Sequence, residues 1–428
     1  MSEFTRIRPM FADHLGLARG KYLPVAHAVH GTKHCMTLFA QHYDKQMSPS
    51  APHTGFFDGM PDMQAVFDIA HATPGWDVGV GVVVADLMRD GELVSWAPRT
   101  MLRRAIEAWQ ARGLQPMVGI ELEAYILEPN GQGGWKAIDT PGAMTYNVGP
   151  FVDPHGLLDE IMDTADACGF PVESVNSEYD APQFEFTLHY SHALDAVDNI
   201  FLFKQMAQEL ARKRGLHLSF LGKPFGHLTG SGLHVNFSFV DDAGLNQLNE
   251  ADKPHGLADV ARFAIGGLLA HHEALAAVCA PTVNAYKRLK PGQLSGVFAN
   301  WGLDHRSVTV RVPRDRDAAT RIEYRLPDGS ANPYVAVAAV LQAALLGANG
   351  SIEPPPIEVG DSLETANTDR MTPPNLSAAL DALAADQVFG AALGAEFVAN
   401  FLAVKRDEWQ KFADAITDWE LNYYLPFI

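Results

Sequence analysis

Cysteine is scarce in this chain. Only three of 428 residues are Cys, and Cys35, Cys168 and Cys279 lie far apart with no CxxC spacing. That excludes a disulfide-stapled scaffold and a thiolate zinc ribbon, and it points to a reducing compartment. Positive charge is also short: 32 Lys and Arg stand against 51 Asp and Glu, for a net charge of −19. The chain therefore lacks the basic footprint of a nucleic-acid binder or of a protein docked on anionic lipid. The longest apolar helical stretch, Tyr334 to Ala348, falls short of the about 20 residues that cross a bilayer. Met1 to Pro9 carries no apolar leader, so no secretory signal is read. Gly and Pro are scattered, and no disordered tract or internal repeat is visible. What is left is a soluble, cytoplasmic protein with no membrane or nucleic-acid partner. Its 47% hydrophobic content suffices for a large core and more than one domain.

Residues 1–95 read as short strands and turns, with extended segments at Gly31 to Gln41 and Asp77 to Leu87. Pro98 before Thr100, with the spacing of Met101, Leu102, Ala105, Ile106 and Trp109, predicts a helix, and a domain boundary is placed near residue 95. Helices follow at Gly156 to Cys168, Ser191 to Arg214, Leu257 to Cys279 and Asn332 to Leu346, with a mostly helical tail from Ser362. Extended segments are read at Gln183 to His189, Leu216 to Leu221, Leu233 to Phe239, Val308 to Val312 and Arg321 to Leu326.

Chemistry enters with Gly119-Ile-Glu-Leu-Glu-Ala-Tyr125. In a strand, residues i and i+2 share a face, so Glu121 and Glu123 project side by side from an apolar segment. Two desolvated carboxylates repel unless a cation or a shared proton compensates. Glu178 and Glu185 flank a Pro-containing turn, and their odd spacing puts them on one face only if Ala181-Pro182 bends the chain. His234 follows Gly230-Ser231-Gly232 and opens a strand. Arg321, Glu323 and Arg325 share one strand face. Five glutamates and one histidine suit two or three hard divalent cations, Mg²⁺ or Mn²⁺, better than Zn²⁺. Each signal alone is ordinary on a strand; their weight comes from occurring together. A cationic series, Lys287, Arg288, Lys290, Arg306, Arg311, Arg314, Arg316, Arg321 and Arg325, suggests polyphosphate and an anionic second substrate, because the guanidinium fork grips such groups at two points. Arg306 and Arg311 differ by an odd number and cannot share a face of a regular strand.

Six ordered blocks, GIELEAYIL, SEYDAPQFEF, KPFGHLTGSGLHVNFSF, NAYKRLKPG, DHRSVTVRVP and RIEYRLPDGSANPY, resemble the glutamine synthetase superfamily from about residue 10 to about 350. The resemblance implies an α+β fold, with a β-grasp domain over 1–95 and a catalytic domain with an antiparallel sheet over 96–428. It also implies hexameric rings, typically stacked as a dodecamer, with each active site between neighbouring subunits. By motif, one metal site would use Glu123, Glu178 and Glu185, and the other Glu121, His234 and Glu323. Arg288 and Arg306 would hold the glutamate carboxylate and the phosphoryl group, Arg311 and Arg325 the ATP phosphates, Asn236 and Ser238 the adenine, and Gly230 the substrate glutamate. ATP would turn the glutamate side chain into an acyl phosphate that an amine then attacks, with a carboxylate taking the proton.

The departures lie at the acceptor. Ammonia-using members carry a flap glutamate where this chain has Leu294, and the usual His-His before the second glutamate motif is Asn176-Ser177. Tyr146 fits the ammonium-site tyrosine, and Asp58 resembles the aspartate lent by a neighbouring subunit, although Met60-Pro61-Asp62 departs from the usual continuation. The EYDAPQFEF and PGQLSG blocks resemble the branch that ligates glutamate to organic amines, with Glu178 or Asp180 as proton acceptor. An organic amine is the favoured substrate, ordinary ammonia ligation the alternative, and a non-catalytic regulatory paralogue a third reading that the intact metal residues disfavour.

Overall fold

The computed structural model describes residues 4–428. Residues 6–93 form two small sheets. In one, Arg6–Ala12 pairs antiparallel with Ala18–Gly20 and Leu23–Pro24 and parallel with Val80–Val84, which also pairs with Thr73–Pro74. In the other, the order is Thr32–Cys35, Asp62–Val66, Asp86–Arg89, Glu92–Leu93. Among the described residues no α-helix precedes Pro98. The extended reading of Gly31 to Gln41 holds only for Thr32–Cys35; Met36–Ala40 is a 3-10 turn that buries Met36, Thr37, Phe39 and Ala40. That spacing suits a helical turn rather than a strand.

A nine-stranded sheet follows, with Gln115–Pro129 at its centre. Its path runs Val172–Ser177, Gln183–His192, Gln115–Pro129, Leu233–Val240, Ile322–Tyr324, Val310–Val312, Trp301–Leu303. All neighbours on this path are antiparallel except the last pair. The result is the expected α+β arrangement.

Helices cover one face of the sheet. Trp109, on the Pro98–Gln110 helix, stacks on Phe239 with ring centroids 3.9 Å apart and donates to the carbonyl of Leu341 at 2.9 Å. The span read as one helix from Leu257 to Cys279 is two, Asp259–Ala270 and His272–Cys279. The chain leaves helical geometry at His271, whose ring is held by Asp386 at 2.6 Å. The helix Pro333–Gly350 is longer than the sequence suggested and apolar enough for a membrane span, but 83% of it is buried inside the protein. It crosses Asp259–Ala270 where Gly267 meets Gly347: a Cβ on Gly267 would lie 2.1 Å from the Ala343 carbonyl. It is a core helix.

Candidate active site

Sheet register assembles the site. Glu121 and Glu123 follow each other at i and i+2 on the central strand. Glu185 lies directly across from Glu123 on one neighbour, and His234 directly across from Glu121 on the other. Glu323 pairs with Asn236 and with Arg311 one strand further out. Directly opposed residues hold their Cβ atoms about 4.5–5.5 Å apart, so five strands deliver these side chains to one patch.

Ligand atoms of Glu121, His234 and Glu323 all lie within 4.8 Å of one another, as do those of Glu123, Glu185 and His234. The His234 Nδ1 is 3.1 Å from Glu121 and 3.6 Å from Glu323, and its Nε2 is 3.8 Å from Glu123. The first triad is the set the motifs implied. In the second, His234 stands with Glu123 and Glu185, while Glu178 lies in the same cavity with its carboxylate held by the Asn176 amide at 3.1 Å. The chain turns at Asp180–Gln183, where Gln183 N–H bonds the Asp180 carbonyl at 3.0 Å. That turn brings Glu178 and Glu185 to one cavity despite their odd spacing.

The electrostatics expose a shortage of positive charge on one side. Burial, then repulsion from Glu121, Glu123 and Glu178, pushes the Glu185 carboxyl up to about 9. Burial and Glu123 raise Glu178 as well. On the other side burial opposes ionisation of Glu323, but Arg325, His234 and Arg311 hold it down, to about 2. Burial likewise opposes ionisation of Glu121, and His234 keeps it below the ordinary range. Carboxylates crowded with one imidazole, two of them raised for want of counter-charge, are a donor set that fits a hard divalent cation.

These groups line a cavity of about 370 Å³ that also receives Tyr146, Gly230, Arg288, Leu294, Arg306, Arg311, Arg321 and Arg325. Arg311 bonds Glu323 at 2.7 Å and Asp304 at 2.8 Å, and Arg325 bonds Glu323 from the other side. The Nε of each has no partner although it is buried, so both keep a donor for a ligand. Arg306 and Arg311 reach the same cavity because residues 304–309 form a turn rather than a strand. Among the described residues Arg306 makes no ion pair and is exposed. Arg288 is 4% exposed and donates to the carbonyls of Leu326 at 2.9 Å and Arg325 at 3.2 Å. Gly230 packs against it; a Cβ there would lie 2.6 Å from the Arg288 Cγ.

A second cavity, of about 440 Å³, holds Asn236 and Ser238 with Met117, Tyr190 and Phe237. It shares Glu121 and Arg321 with the first. One hollow is rich in charge, the other in apolar and aromatic surface, and the paired-glutamate strand runs between them.

Asp180 and Asp58 stand apart from the cluster. The Asp180 carboxylate accepts the Thr229 N–H at 2.5 Å and so ties down the loop before Gly230. Asp58 is exposed on a turn, its N–H bonded to the Gly55 carbonyl at 3.0 Å, and does not line the cavity of its own chain. Sequence reasoning missed Gln183, which is 1% exposed and whose amide reaches Glu123 at 3.2 Å and the Gly230 carbonyl at 2.9 Å. It precedes Glu185 by two residues, so strand alternation puts both on one face. The same rule extends Glu121 and Glu123 to Tyr125, whose hydroxyl donates to the Thr229 carbonyl at 3.0 Å.

Known proteins share this chain's sequence pattern and fold. The family described as glutamine synthetase, catalytic domain, matches residues 95–424. A glutamine synthetase of Pyrococcus horikoshii is 32% identical over 439 aligned positions, covering 98% of this chain and 95% of its own. A solved structure of GmaS without ligand superposes with a TM-score of 0.85 at 31% identity, covering 99% of this chain and 97% of that one. A GmaS complex with ADP gives 0.84 at 30% identity, with the same coverage. Agreement of this extent, through both small sheets, the large sheet and the helices behind it, makes the chain a member of the glutamine synthetase family.

Proposed function

We propose that this ligase joins an organic amine to the γ-carboxylate of L-glutamate, at the expense of ATP and through a γ-glutamyl phosphate. The observation that carries the reading is the intact pair of carboxylate–imidazole triads beside five arginines, at a cavity whose flap holds Leu294 in place of an acid. ATP fits the second cavity, with its base near Asn236 and Ser238 and its phosphates directed past Glu121 and Arg321 toward Arg311 and Arg325. Glutamate lies against Gly230 and Arg288, with Arg306 at the phosphoryl group. Mg²⁺ or Mn²⁺, held by Glu121, His234 and Glu323 and by Glu123, Glu185 and Glu178, would neutralise the phosphates and the charge that develops on the phosphoryl group in transit.

The protein's own groups do the rest. A carboxylate is a poor acyl donor, and phosphorylation supplies a leaving group. Arg306, exposed and without an ion-pair partner, is free to follow the transferred charge. The attacking amine must lose a proton, and Glu178, which lines the cavity together with Tyr146 and Leu294, is the candidate to take it. Asp180, already bound to Thr229, is the lesser candidate. Leu294 can bind no ammonium and take no proton from it, but it closes an apolar wall around an alkyl group. The likeness to GmaS agrees with the amine-ligase branch. A second reading, ammonia ligation, is supported by the glutamine synthetase names of the curated relatives. Self-association into hexameric rings, stacked as a dodecamer, belongs to the same proposal, with Asp58 and Tyr146 meeting at the subunit boundary. Exposed Trp419, Leu425, Phe427 and Ile428 support it. A cytoplasmic setting suits the substrates.

The test is phosphate release by purified protein with ATP, Mg²⁺ and L-glutamate across a panel of amines. Some alkylamine or polyamine should exceed ammonium in kcat/KM. Ammonium exceeding every amine would return the protein to glutamine synthetase activity.

A further inference from the structure

We infer that the buried Ser362 is a positioning residue for Arg306, and that the loop it anchors, residues 360–363, couples the Arg306 turn to the Leu294 flap. The inference rests on the ligase reading above, which sets Arg306 at the transferred phosphoryl group.

Residues 352–364 form neither helix nor strand. Ser362 is nevertheless only 1% exposed, although Asp361 and Glu364 are open to solvent. A buried hydroxyl in a loop requires partners, and Ser307 supplies them. The Ser362 hydroxyl donates to the Ser307 carbonyl at 3.1 Å and lies 3.0 Å from the Ser307 hydroxyl, which accepts the Ser362 N–H at 3.2 Å. His305 makes a parallel tie. Its Nε2 bonds the Gly360 carbonyl, and a carbonyl can only accept, so Nε2 carries the proton. That leaves Nδ1 as an acceptor, 3.2 Å from the Ser307 hydroxyl and 3.4 Å from the Ser307 N–H. Both chain neighbours of Arg306 are therefore fixed to residues 55 positions downstream.

The Arg306 side chain is exposed and has no ion-pair partner among the described residues, so its backbone sets its aim into the cavity. That backbone follows Asp304, whose φ of 48° lies in the left-handed region that non-glycine residues leave unless their surroundings impose it. A guanidinium that meets the phosphoryl group in transit loses its effect when displaced by about 1 Å. The same loop also reaches the flap. The Gly292 N–H donates to the Leu363 carbonyl at 2.8 Å, and a Cβ on Gly292 would lie 2.8 Å from the Glu364 carboxylate. Gly292 leads into Gln293, Leu294 and Ser295, all of which line the cavity. Through adjacent residues, one loop grips the two segments that carry Arg306 and Leu294.

The experiment measures phosphate release and amide hydrogen exchange for wild type, Ser362→Ala, Ser307→Ala, Arg306→Ala and the double variant of Ser362→Ala with Arg306→Ala. The acceptor is the one that wild type uses fastest among ammonium chloride, methylamine and 1,4-diaminobutane. Ser362→Ala should lower kcat by about tenfold while the KM values for ATP and glutamate stay within about twofold. Added to Arg306→Ala, it should cost less than about twofold, because the group it positions is gone. Ser307→Ala, which removes the shared bonds from the other side, should lower kcat in the same way. Amides of residues 290–296 and 304–309 should exchange about tenfold faster in Ser362→Ala than in wild type. A kcat within about twofold of wild type in both serine variants, a full tenfold loss on top of Arg306→Ala, or faster exchange confined to 360–364 would overturn this inference alone. No glutamate-dependent phosphate release by wild type with any of the three acceptors would overturn the ligase reading and the inference together.

Discussion

The crowding around Glu185 should make metal binding at the proposed site a proton-releasing reaction. Its carboxyl is pushed from the ordinary value of 4.5 to about 9, by burial first and then by Glu121, Glu123 and Glu178. At pH 7 a group of that affinity is protonated in about 99% of molecules. A cation that takes Glu185 as ligand must displace this proton, so binding at pH 7 should release about one proton, and apparent affinity should rise about tenfold per pH unit until it levels off near pH 9. Titration calorimetry in buffers of different ionisation enthalpy reads the proton count as a slope. Glu185→Gln should flatten that slope. The sign carries over to stability. In metal-free protein the folded state keeps a proton that the unfolded chain releases near 4.5, so stability is fully present below 4.5 and lost as pH rises toward 9. Saturating metal should remove that loss. A binding enthalpy independent of buffer, with affinity flat from about pH 6 to about pH 8, would refute the argument that a missing cation explains the raised carboxyl.

Three further outcomes are expected. Arg306→Ala should lower kcat/KM by at least about tenfold with an unchanged melting temperature, because the side chain is exposed and acts on transition-state charge; steady-state kinetics beside thermal melting checks this, and a smaller effect would make the arginine structural. Glu323→Ala should destabilise the fold by about 3–5 kcal/mol, measured by urea unfolding, because Arg311 and Arg325 lose the buried carboxylate between them. Leu294→Glu should shift kcat/KM toward ammonium and away from alkylamines by about tenfold or more, since it supplies the missing carboxylate at the flap; an unchanged ratio would free Leu294 of any part in acceptor choice.

Sequence made the heart of the site legible because strand alternation is strict. Glu121 with Glu123, and Glu323 with Arg325, needed only the period of two. Glu178 with Glu185, and Arg306 with Arg311, break that period, and both pairs converge because a turn replaces regular strand between or beside them. No periodicity foretells such a turn's exit direction. The roles of Arg288 and Gly230 toward glutamate came from the family resemblance, since the mutual packing of a buried guanidinium and a glycine leaves no pattern in one chain. The N-terminal sheets were blurred by their brevity: apart from Arg6–Ala12, two- to five-residue strands alternating with 3-10 turns average out in any window. His271 hid a helix break, and the carboxylate that holds its ring, Asp386, lies 115 residues away.

The central claim is that the glutamate side chain is activated by phosphoryl transfer, and isotope transfer tests it most directly. With L-glutamate labelled with ¹⁸O in its γ-carboxylate, ATP, Mg²⁺ and a productive amine, the released phosphate should carry one labelled oxygen per turnover. Unlabelled phosphate released at the full rate would mean that water, not glutamate, attacks the nucleotide, and would contradict the account.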